Sequence, residues 1–405
     1  MADRSPTARR DDGPSTNGVG SDDAVPTFRH ERIDPDPPSD RLFCCLTEDL
    51  TGNGLPDLVV GGMGADPVET PVPGLSLDRH SLPGAALSKL GLETDLFWYE
   101  NPGWERHAMT DAAALRLLGG TFADVEGNGR RDLFVGQGYG RDAIYRFERP
   151  EDPREVWPHE VVRADYSKYH DLAFGDVDGD GEPELVGLSQ ESDTVFYYDV
   201  PADPSETPWP DGTRHVVDEG VSLEGLRVVD VDGDGDPELV AGTNVYRRRG
   251  PDDWERERVA EGWDWTRVAV ADLDGDGDLE LVFSEGDSPV LGTHPGRVAW
   301  FDPPDWECHL LDDGLFNPHT LEVADFDGSG RPDVYVAEMG LDQHSDPWHF
   351  LYRNEGGGEF SRHIVERGVP THEARAADLT GNGRPDVIGK SYEPDPHVDV
   401  WYNEG

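Results

Sequence analysis

Apolar and polar residues alternate along this chain in short runs, and the runs return in the same order. Ahead of an acidic stretch stand runs such as LAFGD, LRVVD, VAVAD and LEVAD; behind it come DLVVG, ELVAG, ELVFS and DVYVA. An aromatic run follows (LFWYENP, TVFYYDVP, RVAWFDPP, VDVWYNEG), then one carrying Trp or His (WERHAM, TRHVVD, WECHLL, FSRHIV). Alternation with a period of two residues predicts β-strands. No segment sustains a helical period of about 3.6 residues, which disfavours helical and α/β folds.

The acidic stretch recurs seven times, starting at Asp49, Asp124, Asp176, Asp230, Asp272, Asp325 and Asp378, with spacings of 75, 52, 54, 42, 53 and 53 residues. Four short strands per unit predict an all-β fold, a seven-bladed β-propeller with four-stranded blades. The long first spacing places an insertion at about residues 63–95 in the first blade. The seventh unit ends after VDVWYN, and TFRHERID near the chain's start fits the missing fourth strand. The N-terminal strand is therefore expected to close the last blade and remove open edges. The propeller then spans 27–405, behind a polar tail, 1–26, expected to be disordered.

In D-x-D-G-D-G-x-x-E, oxygens at alternate early positions and at the ninth can converge on one hard cation, while the glycines permit the tight turn. This makes calcium ligands of Asp176, Asp178, Asp180 and Glu184; of Asp230, Asp232, Asp234 and Glu238; and of Asp272, Asp274, Asp276 and Glu280. Asp325, Asp327, Ser329 and Asp333 form a poorer set. Loops one, two and seven carry Asp49, Thr51, Asn53 and Asp57; Asp124, Glu126, Asn128 and Asp132; and Asp378, Thr380, Asn382 and Asp386. Fewer charges there predict weaker binding. The plain alternative is an Asx/Gly turn that needs no ion.

With these D-x-D-G-D-G-x-x-[DE] motifs the chain resembles the FG-GAP / VCBS-type calcium-loop propellers. The resemblance spans roughly residues 27–405 and implies several bound calcium ions. The WYENP…W…H rhythm is also similar, more weakly, to the propeller part of aldos-2-ulose dehydratase-like sugar enzymes.

Composition narrows the partners. There are 85 acidic residues against 34 basic ones, a net charge of −51, and the only lysines are Lys89, Lys168 and Lys390. Such a surface repels nucleic acid and anionic lipid, so neither nucleic acid nor membrane is expected as a partner. An acidic coat with almost no lysine predicts an extreme halophile's protein. Cys44, Cys45 and Cys308 make no disulfide framework. No apolar run reaches about 18 residues. No apolar segment follows Arg9-Arg10, so no secretory signal is expected, and the predicted location is cytoplasmic in a high-salt environment.

Two histidine populations separate when the units are aligned. His30, His107, His159, His215, His309 and His363 share one place in the fourth strand and are read as packing residues. Six residues before each loop stand Phe43, Leu118, His170, Glu224, Thr266, His319 and His372, a position the repeat does not standardise. It should lie near the mouth of the central channel, joined by Gln190, Glu285, Glu338, Lys390 and Tyr392 from the second strands. Three histidines with carboxylates could hold one transition metal, or act as acids and bases. The plain reading is a water-filled channel mouth. The first-blade insertion, with Arg79 and His80, and a smaller one with His344 and His349, should overhang that face.

Two functions follow. One is a calcium-stabilised binding module for a carbohydrate or protein ligand at the channel mouth. The other is a carbohydrate-active lyase or dehydratase, with His170, His319 and His372 as ligands or bases, Glu338 as a ligand, and Lys390 or Tyr392 on substrate.

Overall fold

The computed structural model describes residues 25–39, 41–62, 68–69, 76–77, 95–112, 115–251, 253–341, 346–393 and 395–405. Seven four-stranded antiparallel sheets form the blades of a propeller. Their inner strands are Leu42–Glu48, Leu117–Ala123, Tyr169–Gly175, Leu226–Val229, Thr266–Ala271, Thr320–Ala324 and Glu373–Ala377, in blades one to seven. Each packs against the inner strands of both neighbouring blades, and the seventh returns to the first. Most of the expected tail and first-blade insertion, including Arg79 and His80, and also His344, lies outside the described residues. Within the insertion Val68–Glu69 pairs with Ser76–Leu77 as a two-stranded ribbon.

A blade is covered on both faces, so its middle strands are buried and mostly apolar between their ends. Asp57–Gly62, Asp132–Gln137, Glu184–Ser189 and Glu280–Glu285 are buried at every residue. The core is accordingly not one cluster but a ring of them, one at each blade interface. Trp98 between blades one and two and Trp401 between blades six and seven are fully buried. Truncating either to alanine should cost about 3–5 kcal/mol.

Closure follows the expected route. Phe28–Asp34 pairs antiparallel with Val398–Asn403, with Phe28 opposite Asn403 and His30 opposite Trp401. The seam between blades seven and one is sealed by Ile388, Val398 and Val400 against Leu42, Val60 and Phe97. Cys44, Cys45 and Cys308 are free thiols. Among the described residues no helix is long and apolar enough to cross a membrane.

Candidate functional site

Each acidic loop joins an inner strand to the next strand. Gly179 and Gly181 in loop three adopt φ of 76° and 92°, which a side chain would strain. The turn folds Asp176, Asp178, Asp180 and Glu184 so that one ligand atom from each lies within 4.8 Å of the others. Asp230, Asp232 and Asp234, then Asp272, Asp274 and Asp276, then Asp325, Asp327 and Asp333 converge in the same way. Asp230 Oδ1, Asp325 Oδ1 and Glu280 Oε1 are buried without a hydrogen-bond partner. Orphaned carboxylate oxygens facing like charge are costly, and a hard cation would satisfy them.

The ninth position has a second task. Asp57, Glu184, Glu238, Glu280, Asp333 and Asp386 each accept the N–H of the loop's second residue, at 2.5–3.0 Å. Burial pushes Glu184 and Glu280 up to about 7, and Asp57 and Asp333 up to about 6. Loops one and seven supply only two carboxylates each. The Asp49 oxygens there accept N–H groups of Gly52, Asn53 and Gly54, and those of Asp378 accept Asn382 and Gly383. Loop two departs further, because the Arg146 guanidinium sits 2.6 Å from both Glu126 and Asp132.

The outer histidines stack on the aromatic ring opposite them in the third strand. Ring centroids lie 3.9 Å apart for His309–Trp300, 4.5 Å for His215–Tyr197 and 4.6 Å for His107–Trp98. His30 stacks on Trp401 and His159 on Phe147. His363 faces Leu351 and bonds Ser361 instead.

The second population meets around Phe43, whose ring stands edge-on to His170 at 5.5 Å and to His372 at 5.0 Å. His319 stacks on His372 at 4.1 Å, and Tyr392 lies 4.8 Å from His372. Phe43, Leu118, His170, Glu224, Thr266, His319 and His372 are all buried, so the expected open mouth is closed by its own residues. His170 places Nδ1 2.7 Å from Asp171 and Nε2 3.2 Å from Glu224. Burial disfavours its charge, but the Glu224 and Asp171 carboxylates outweigh this and raise it to about 9. His319 donates Nδ1–H to the His372 carbonyl at 2.8 Å, and burial lowers its pKa to about 3. His372 Nδ1 accepts from Lys390, and burial holds His372 well below its usual value. Lys390 also donates to the Leu42 carbonyl at 2.9 Å, and burial lowers it to about 8.

Among the described residues, His170, His319 and His372 do not form one of the groups whose ligand atoms all lie within 4.8 Å of one another. Carboxylates, a backbone carbonyl and an ammonium engage them instead. Gln190 joins this end through a 2.8 Å bond to Glu224. Glu285 and Glu338 are turned to other tasks. Glu285 pairs with Arg297 at 2.8 Å, and Glu338 accepts the N–H groups of Phe316 and Trp348 at 2.8 and 3.0 Å. His349 is buried and bonds Tyr335 and the Val369 carbonyl.

Behind the closed mouth the channel holds a cavity of about 400 Å³, lined by Asp171, Arg227, Arg267, Glu322, Glu373 and Arg375 among others. Arg267 lies 3.8 Å from Asp171 and 3.6 Å from Glu373, and Arg375 is 2.5 Å from Glu373 and 3.4 Å from Glu322. Burial opposes the Glu373 charge, but Arg375, Lys390 and Arg267 hold it below its ordinary range.

Models of the FG-GAP-like repeat match residues 124–187, 176–241, 230–283 and 319–389, together more than half of the chain. The chain belongs to the FG-GAP-like repeat family. No curated protein sequence matches it. Among solved structures, BBS1N in complex with ARL6DN, soaked with lead, is similar at 12% identity and a TM-score of 0.55, covering 94% of this chain and 97% of that one. At that identity the likeness concerns the fold alone. The V. cholerae biofilm matrix protein Bap1 matches at 10% identity and a TM-score of 0.40, over 93% of this chain and 79% of that one.

In this FG-GAP-like propeller the charged channel residues went unread in the sequence. They stand five and three residues before each loop rather than six. Blades one and three carry a register irregularity between Leu42 and Cys44 and between Tyr169 and Asp171, so Phe43 and His170 are bulged. A bulge shifts the alternation by one and sends the next residue into the channel. The available signal was charge in an otherwise small or apolar column of the aligned repeats: Asp171, Arg267 and Glu373, then Arg227, Glu322 and Arg375.

Proposed function

We propose that this FG-GAP-like protein is a calcium-stabilised propeller that binds a carbohydrate or protein ligand at the channel mouth without turning it over. One observation carries the non-catalytic reading: the polar groups of the mouth are committed to one another. Both nitrogens of His170 face carboxylates, and His319 and His372 bond within the ring. Groups tied in this way fix a shape, whereas a general base must reach a substrate proton. The convergent carboxylates of loops three to six support calcium as the ion. Without it their charges repel, so folding and calcium binding are linked.

The test is calorimetric counting of calcium on chelated protein, with thermal unfolding along the titration and capture of glycans and proteins with and without calcium. Calcium should raise the unfolding temperature, and capture should vanish on chelation. A protein that unfolds alike with and without calcium overturns the reading.

A second reading, a lyase or dehydratase acting on an acidic or keto sugar, draws on the contact between Lys390 and neutral His372. A buried lysine with a lowered pKa can take a proton. It requires an unsaturated product, seen by ultraviolet absorbance, that a His372→Ala variant fails to make.

A further inference from the structure

The channel cavity carries a charge arrangement that the mouth does not use. Arg267 and Arg375 bridge the carboxylates of Asp171, Glu373 and Glu322. Arg227 is the exception. Among the described residues no carboxylate forms an ion pair with it, and its hydrogen bond runs from Nη1 to the Leu226 carbonyl, 2.8 Å away. It is exposed and lines the cavity. Burial pushes its guanidinium below its ordinary pKa; Glu322 opposes this, and Arg375 and Arg267 add to it. A cation with no carboxylate in ion-pair contact among the described residues, Glu322 and Asp171 acting on it only from a distance, offers its guanidinium to an anion in the cavity.

Access is from the acidic-loop face. The ring six residues before the loops is closed, whereas one residue before them stand Gly175, Ala271, Ala324 and Ala377, small and partly exposed, with Glu48, Val229 and the buried Ala123 completing that ring. The chemistry of the guest follows from the walls. A guanidinium fork matches a carboxylate with two parallel bonds. Glu322 and Glu373 keep acceptor lone pairs that want hydroxyl donors, and Thr121 adds a hydroxyl. Chloride brings no such donors, and inorganic phosphate only one or two on a single compact centre. At about 400 Å³ the space falls in the range that takes small molecules. Outside, an anion meets a net charge of −51, so its site needs a local uncompensated cation.

We propose that the channel cavity binds a small polyhydroxylated carboxylate, a sugar acid, with its carboxylate on Arg227 and its hydroxyls on Glu322, Glu373 and Thr121. This rests on the reading of the chain as a binding module, and places the guest on the channel side of the closed mouth, whose Phe43, Leu118 and His170 also line the cavity.

The experiment is calorimetric and thermal-shift titration of the calcium-saturated full chain with D-glucuronate, D-glucose, inorganic phosphate and chloride. Glucuronate should bind and raise the unfolding temperature, while the others do not. Arg227→Gln should weaken glucuronate by about ten- to a hundredfold, the loss of a charge-assisted pair. Arg227→Lys, which keeps the charge, should retain part of the affinity, and Arg362→Gln, which removes an outer ion pair with Asp312, should change nothing. Absence of glucuronate binding to the wild type, unchanged binding in Arg227→Gln, or equal binding of phosphate or chloride overturns the proposal. If glucuronate fails while calcium-dependent capture of another ligand persists, this inference alone falls. If neither is seen, the binding-module reading falls with it.

Discussion

The guanidinium of Arg146 lies 2.6 Å from the carboxylate of Asp132, whose counterparts Glu184 and Asp333 join the convergent carboxylates of loops three and six. Both side chains are buried, and Arg146 reaches Glu126 at 2.6 Å as well. A fixed cation thus stands in the place of a metal, and loop two should bind none. Removing one partner of such a buried pair costs about 3–5 kcal/mol. Arg146→Ala should show that loss in chelator and a smaller one in calcium, with one more ion counted by calorimetry because Asp124, Glu126 and Asp132 are freed.

Loops three to six carry the convergent carboxylates, so each should contribute separately to calcium-linked stability. At free calcium about a hundredfold above the dissociation constant, one site adds about 2.7 kcal/mol. Glu184→Gln should remove one ion from the count and that increment from denaturant unfolding in calcium, with a smaller effect in chelator.

His170 gives a pH dependence with a definite sign. Its folded pKa, about 9, lies above the value of 6.5 expected when unfolded. The stability it contributes is therefore complete below about pH 6.5 and is lost as pH rises through about 9. Unfolding temperatures should fall across that window in the wild type and fall less in His170→Gln, which cannot titrate. Equal slopes would contradict the assignment of a charged His170 between Glu224 and Asp171.

The outer histidines should matter to stability alone. His309 stacks on Trp300 with centroids 3.9 Å apart, a contact worth about 0.5–1.5 kcal/mol beyond its buried area. His309→Ala should lower the unfolding midpoint by about that free energy and leave the calcium count unchanged.

The net charge of −51 predicts stability that rises with salt. Raising KCl from about 0.1 to 1 M shortens the screening length from about 10 to 3 Å and suppresses surface repulsion. At fixed saturating calcium the unfolding temperature should climb over this range. A flat response would remove the case for a high-salt protein.

The repeat, the loops and the closure were legible in the sequence because each is local chemistry copied at a fixed period. Alternation names a strand wherever it occurs, D-x-D-G-D-G bends into a turn on its own glycines, and a last unit lacking one strand calls for TFRHERID. The site was legible only in part. His170, His319 and His372 do gather at one end of the channel, but whether an imidazole is free or tied depends on Glu224, Asp171 and Lys390 arriving from other strands. Arg146 reaches from a third strand to pair with the carboxylates of loop two, and a bulge at Phe43 and His170 turns the neighbouring residue into the channel. Periodicity fixes which face a residue takes only while the register is regular, and pairing between distant charges exists only once the ring has closed. The sequence by itself therefore determined the propeller and its acidic loops. Only the tertiary structure decided which charges are paired, which end of the channel is closed, and that Arg227 has no ion-pair partner among the described residues.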